Sequence, residues 1–118
     1  MSHPVVRWQI VSPDPDTTLR FYRQLFRWDV DQANALGYSE VRPGGNGIAG
    51  GVWPAPATAG PFVQLFVAVP DVAQYVERAA TLGATVLVPT SVLPDGDSMA
   101  VLRDPLGLPF GICTLRRS

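Results

Sequence analysis

The chain of 118 residues has no lysine, one cysteine and one histidine. All nine basic residues are arginine, a usage that reads first as compositional bias of the genome. Against ten acidic residues they leave a formal net charge of −1. A chain with no basic excess lacks the face that neutralises phosphates, so a general nucleic-acid binder is excluded. Cys113 stands alone, which rules out an intramolecular disulfide and a four-cysteine zinc site. His3 is the single imidazole, so a Ser-His-Asp triad or a two-histidine metal centre has no donor elsewhere. No apolar run approaches the roughly 18 residues a membrane helix needs, and no charged segment with a long apolar run opens the chain. The expectation is a cytoplasmic protein with no membrane partner and no nucleic-acid partner.

What is present suits one globular domain. The hydrophobic fraction is 47% and the charged fraction 16%, a balance that folds rather than stays disordered. The runs VVRWQIVSPD (5–14) and FVQLFVAVPD (62–71) are alike: each is an apolar strand pattern ending in Pro-Asp. Asp14-Pro15 starts an amphipathic helix, DTTLRFYRQLFRW, with Leu19, Tyr22 and Phe26 on one stripe and Phe21, Leu25 and Trp28 beside it. Short strand candidates follow in WDVDQ, LGYSEVR and GIAGGVW, split by Asn34, Gly37 and the turn-rich PGGNG. Residues 54–61, PAPATAGP, hold three prolines and read as a linker. In the second half Asp71 with Gln74 makes a capping-box signature, the helix VAQYVERAATL stops at Gly83, and strands ATVLVPT, SMAVLR and LPFGICTL follow. Asp14 and Asp71 recur at a spacing of 57 residues, Gly51 and Gly111 at 60. The reading is an α+β fold of two βαβββ modules, 4–54 and 62–115, joined by a linker at 55–61 within one domain spanning 1–118.

VxWxIxxxDxxxxxRFYxxLFxW in the first half, with the LGA turn and DPLGLPFGI in the second, resembles the vicinal oxygen chelate superfamily, which includes glyoxalase I, bleomycin-resistance proteins and extradiol dioxygenases. The resemblance implies a curved mixed β-sheet with helices on its outer face, and a cavity inside. It also implies a homodimer, and a divalent metal held by ligands on the first and last strands of each module. The matching positions here are Arg7, Gln64, Gly51 and Gly111. A guanidinium offers no lone pair, glycine has no side chain, and one neutral amide falls short of a divalent site. Gln9, two residues along, adds only a second amide. The expectation is therefore no metal, no cofactor and no catalytic residue.

Strand alternation puts Val5, Arg7, Gln9 and Val11 on the cavity face of the first strand, and Trp8 and Ile10 on the helix face. Phe62, Gln64, Phe66 and Ala68 take that face on the fifth strand. Gly51 and Trp53, with Pro109, Gly111 and Cys113, take it on the closing strands. Arg7, Gln9, Gly51, Trp53, Gln64, Phe66, Gly111 and Cys113 are thus the candidate ligand-binding residues, suited to a planar or acidic small molecule. Four of them have a plainer reading. Trp53 and Phe66 serve as core, Arg7 pairs with a carboxylate such as Glu40, and Cys113 is a small buried hydrophobe. Glu40 is a general-base candidate only if it points inward, and alternation does not fix its face. Gly45-Asn-Gly47-Ile-Ala-Gly50 matches a dinucleotide fingerprint but is followed by glycine and proline where a helix is needed, so it reads as a turn into a strand. Asp14, Asp71 and Asp104 read as cap and turn residues. Three functions follow: a metal-free protein that binds and sequesters a small molecule, a metal-dependent lyase, isomerase or dioxygenase of glyoxalase type, and a non-catalytic interaction module.

Overall fold

The computed structural model describes residues 2–32, 37–55, 61–92 and 96–114. The turn placed at Asn34, most of the proline-rich linker, part of the PDGD turn and the last residue of the second module fall outside them. The chain forms two compact units, Arg7–Gln64 and Leu65–Ser118 with Met1–Val6. They follow the same plan.

In the N-terminal unit the order is β1 (Val5–Ser12), α1 (Pro15–Phe26), β2 (Asp29–Asp31), β3 (Ser39–Arg42) and β4 (Gly50–Pro54). Hydrogen bonding arranges the strands as β2-β3-β4-β1. β4 runs parallel to β1, while β3 is antiparallel to β2 and β4. Asp14 starts α1 as the sequence predicts: its carboxylate accepts from the Thr17 amide at 3.2 Å and the Thr17 hydroxyl at 2.7 Å. Those bonds favour the charged form and hold the Asp14 carboxyl below its ordinary value.

The end of α1 differs from expectation. The helix stops at Phe26, and Arg27 turns left-handed at φ 59° while its amide bonds the Arg23 carbonyl at 2.9 Å. Trp28 leaves the helix and stacks on Tyr22, with ring centroids 5.0 Å apart and planes 12° apart. Trp8 meets Trp28 at 4.9 Å. Leu19 alone is buried on α1, whereas Phe21, Leu25 and Phe26 are exposed. The aromatic stripe is therefore a ladder of rings at the margin rather than a core face. A methyl group on Gly50 would overlap the Trp8 ring, so only glycine lets that indole lie flat on β4. The buried residues of the sheet's helix side include Val41 and Val52, each contributing about 1.5–3 kcal/mol by burial.

The C-terminal unit repeats the plan with β5 (Phe62–Ala68), α2 (Val72–Thr81), β6 (Thr85–Val92), β7 (Ser98–Arg103) and β8 (Pro109–Cys113). The strand order β5-β8-β7-β6 mirrors the first unit, with β8 parallel to β5 and β7 antiparallel to β6 and β8. Asp71 caps α2 through the Gln74 amide at 3.1 Å, and Gly83 ends it at φ 102°. Asp104 closes its turn by accepting from the amides of Leu106 and Leu108, both at 2.9 Å. Along β7 the side chains alternate: Ala100 and Leu102 pack with Val69, Val72 and Ile112 beneath α2, while Met99 and Val101 pack with Phe66 and Cys113. The fold is α+β, one βαβββ module used twice. No helix among the described residues is long and apolar enough to cross a membrane.

Candidate functional site

Strand register decides which residues share a face. Gln9 on β1 pairs with Gly51 on β4, Gly51 with Glu40 on β3, and Glu40 with Asp31 on β2. Trp53 pairs with Val11, one step further along. One face of this sheet therefore carries Arg7, Gln9, Val11, Gly51, Trp53, Glu40 and, two residues before Glu40, Tyr38. The question left open by alternation is answered: Glu40 stands on the same face as Gln9, and it is exposed. Asp31 forms an ion pair with Arg42 at 3.0 Å, as does Asp29 at 3.2 Å. No ion pair between Arg7 and Glu40 occurs among the described residues.

Tyr38 organises this face. Its ring covers Gly51 so closely that a methyl group there would overlap it. The same ring packs on Trp53, with centroids 4.6 Å apart. Its phenol oxygen takes hydrogen bonds from the Gln9 and Arg7 side chains. Burial pushes the Tyr38 phenol above its ordinary value and Glu40 adds to that, while Arg7 and the two hydrogen bonds pull it back. Gln9 in turn accepts from the Gln64 amide at 3.3 Å, and both glutamines are buried. Five of the eight sequence-derived candidates, Arg7, Gln9, Gly51, Trp53 and Gln64, thus meet in one cluster. Tyr38 is the member that sequence reasoning missed. The available signal was a glycine two strands' alternation away from a tyrosine on the same face.

Three buried polar atoms of this cluster have no hydrogen-bond partner among the described residues: Arg7 Nε, Trp53 Nε1 and Gln64 Oε1. Buried polar groups are paired in the great majority of cases, and each unpaired one costs about 1–3 kcal/mol.

The remaining candidates lie together in the C-terminal unit. Phe66 pairs with Gly111, and its ring fills the space that a methyl group at Gly111 would take. Cys113 is packed in the same buried cluster as Phe66, Met99 and Val101, which fits its plainer reading as a small hydrophobe. The glycine-rich stretch forms a turn, with the Gly47 amide on the Gly44 carbonyl at 2.9 Å, and leads into β4. A separate groove of about 430 Å³ runs beside α1, walled by Phe21, Tyr22, Phe62 and Val63. Thr17 and Thr18 also line it, and their hydroxyls are already hydrogen-bonded, to Asp14 and Ser12.

The positions that resemblance assigns to a metal do not fit one. Arg7 carries a protonated guanidinium. Gly51 and Gly111 contribute no donor, and their space is taken by Tyr38 and Phe66. Gln64 could offer only one neutral amide oxygen, which alone falls short of a divalent site. No group of three or more His, Cys, Asp or Glu side chains arranged for a metal occurs among the described residues.

Comparison with known proteins agrees with this architecture. A search of the curated proteins finds no match. Among solved structures, a methylmalonyl-CoA epimerase variant of Streptomyces coelicolor in complex with 2-nitronate-propionyl-CoA is similar, with a TM-score of 0.65 at 18% identity, covering 96% of this chain and 97% of that one. A glyoxalase/bleomycin resistance protein/dioxygenase superfamily member from Vibrio splendidus 12B01 gives 0.64 at 15% identity, covering 97% and 100%. A hypothetical protein from Bacillus halodurans C-125 gives 0.70 at 11% identity, covering 100% and 98%. These likenesses share the fold of the glyoxalase/bleomycin resistance group. The family model described as a glyoxalase-like domain matches residues 8–113, nearly the whole chain, and with the doubled βαβββ plan it places this protein in the glyoxalase-like family.

Proposed function

We propose that this glyoxalase-like protein binds and sequesters a small molecule without a metal, through the cluster of Arg7, Gln9, Tyr38, Trp53 and Gln64. One observation carries the reading: Arg7 Nε, Trp53 Nε1 and Gln64 Oε1 are buried and unpaired around a hydrogen-bonded core. Ligand sites combine apolar walls with a few placed polar groups, which is the make-up of this cluster. The bound acyl-CoA analogue in the similar epimerase supports a small-molecule role for a protein of this fold. A homodimer in solution is part of the same reading.

A second reading has its own observation. Tyr38 and Phe66 fill the spaces over Gly51 and Gly111, as expected of an interaction module whose cavity is closed by its own side chains. The unpaired atoms weigh against it, because a self-filled site would pair them. A broad thermal-shift screen on chelator-treated protein, repeated with Zn, Ni, Mn and Fe, separates the readings. Stabilisation by a compound without metal supports sequestration. Stabilisation that requires stoichiometric metal supports a metal-dependent enzyme, and none under any condition supports the interaction module.

A further inference from the structure

The unpaired atoms also describe the ligand, and this inference rests on the binding reading above. Two are N–H donors, Arg7 Nε and Trp53 Nε1, and one is an acceptor, Gln64 Oε1. A ligand that satisfies them brings acceptor oxygen to the first two and an N–H or O–H to the third. A charged acceptor is favoured because Arg7, half-buried with its Nε shielded from solvent, has no carboxylate partner among the described residues, and a charge-assisted bond to an anion is stronger than one to a neutral acceptor. A monoanion is favoured over a dianion because Arg42, which shares this face among the described residues, is already ion-paired with Asp29 and Asp31, while Glu40 adds a negative charge to it. The Tyr38 and Trp53 rings, inclined at 32° to each other, supply aromatic surface beside the polar atoms.

We propose that the ligand is a small monocarboxylate that also carries a neutral hydrogen-bond donor, a hydroxyl or an amide N–H. The carboxylate lies against Arg7 and the Trp53 indole, and the donor reaches Gln64.

Calorimetric titration with four probes of similar size tests this: mandelate, with carboxylate and hydroxyl; phenylacetate, with carboxylate alone; mandelamide, with hydroxyl and no charge; and phenyl phosphate, a dianion. The same titrations are run on hits from the broad screen. The expected order is mandelate first, with phenylacetate about tenfold weaker and the amide and phosphate weaker by tenfold or more. Trp53→Phe keeps an aromatic ring and removes the indole N–H, and should weaken both carboxylates about tenfold. Gln64→Met should remove the preference for mandelate over phenylacetate. Should Arg7→Met fail to fold, Arg7→Lys keeps a charge but loses the planar fork, and carboxylate affinity should still fall. Binding of mandelate or of another hydroxy- or amido-carboxylate from the screen, lost in its amide, supports the proposal. Binding confined to neutral, cationic or phosphate compounds overturns it and leaves the binding reading standing. Binding by no compound of any class overturns both.

Discussion

The ring of Tyr38 lies across Gly51 and occupies the space where a side chain at that position would stand. At Gly111, 60 residues after Gly51, the ring of Phe66 does the same. The two positions correspond in the repeat and are the ones that resemblance marks for metal ligands. In both units an aromatic ring fills the space over the glycine.

Gly51→Ala should therefore destabilise the protein by about 1–3 kcal/mol, because the new methyl group displaces the Tyr38 ring. Gly111→Ala should sit at the upper end, since Phe66 is buried among Met99, Val101 and Cys113. Urea unfolding of Gly51→Ala, Tyr38→Ala and the double variant checks the cause. The two effects should be clearly less than additive, since the clash disappears once the ring is gone.

The Tyr38 phenol is raised above its ordinary value chiefly by burial. The folded protein then holds that proton at a pH where the unfolded chain has released it. Its contribution is complete below the ordinary tyrosine range, near pH 10, and is lost as pH rises through the folded value. In an alkaline ultraviolet titration of the three tyrosines, one phenol should ionise late, and Tyr38→Phe should remove that late step. An unchanged titration in the variant would assign the shift elsewhere.

Asp14 behaves in the opposite sense. Hydrogen bonds from Thr17 hold its carboxyl below the ordinary value. The stabilisation is present above the unfolded carboxylate pKa and is lost as pH falls through the folded one. Asp14→Asn should flatten the acid side of the stability curve measured by urea unfolding between pH 2 and 5, pH limits chosen to span roughly the carboxylate range.

Asp71→Ala should cost about 1 kcal/mol by removing the carboxylate that accepts from the Gln74 amide. Asp71→Ser, which keeps an accepting oxygen, should recover most of it. Thermal unfolding of the two variants measures the difference.

Most of the architecture was legible because local chemistry decides it. Asp14 and Asp71 cap the helices, Gly83 ends α2 in a conformation glycine adopts freely, and the repeat of strand and helix predicts both modules. The end of α1 was not legible. The apolar spacing runs on through Trp28, but Arg27 turns left-handed and the indole finds better stacking on Tyr22 and Trp8. Periodicity records which residues are apolar, not which neighbours they prefer. Alternation likewise gathered Arg7, Gln9, Gly51, Trp53 and Gln64 but left out Tyr38, because its role depends on pairing between β3 and β4. The same register fixes Glu40, whose face a single strand does not define.

The account turns on whether the unpaired atoms of Arg7, Trp53 and Gln64 hold a ligand without a metal. The most direct measurement is a thermal-shift screen of chelator-treated protein beside Trp53→Phe, which keeps the ring on Tyr38 and loses only the indole N–H. The account predicts a compound that raises the melting temperature of the chelator-treated protein by several degrees and does distinctly less for the variant. Stabilisation that appears only when a divalent metal is added, or that is equal in the variant, would contradict it.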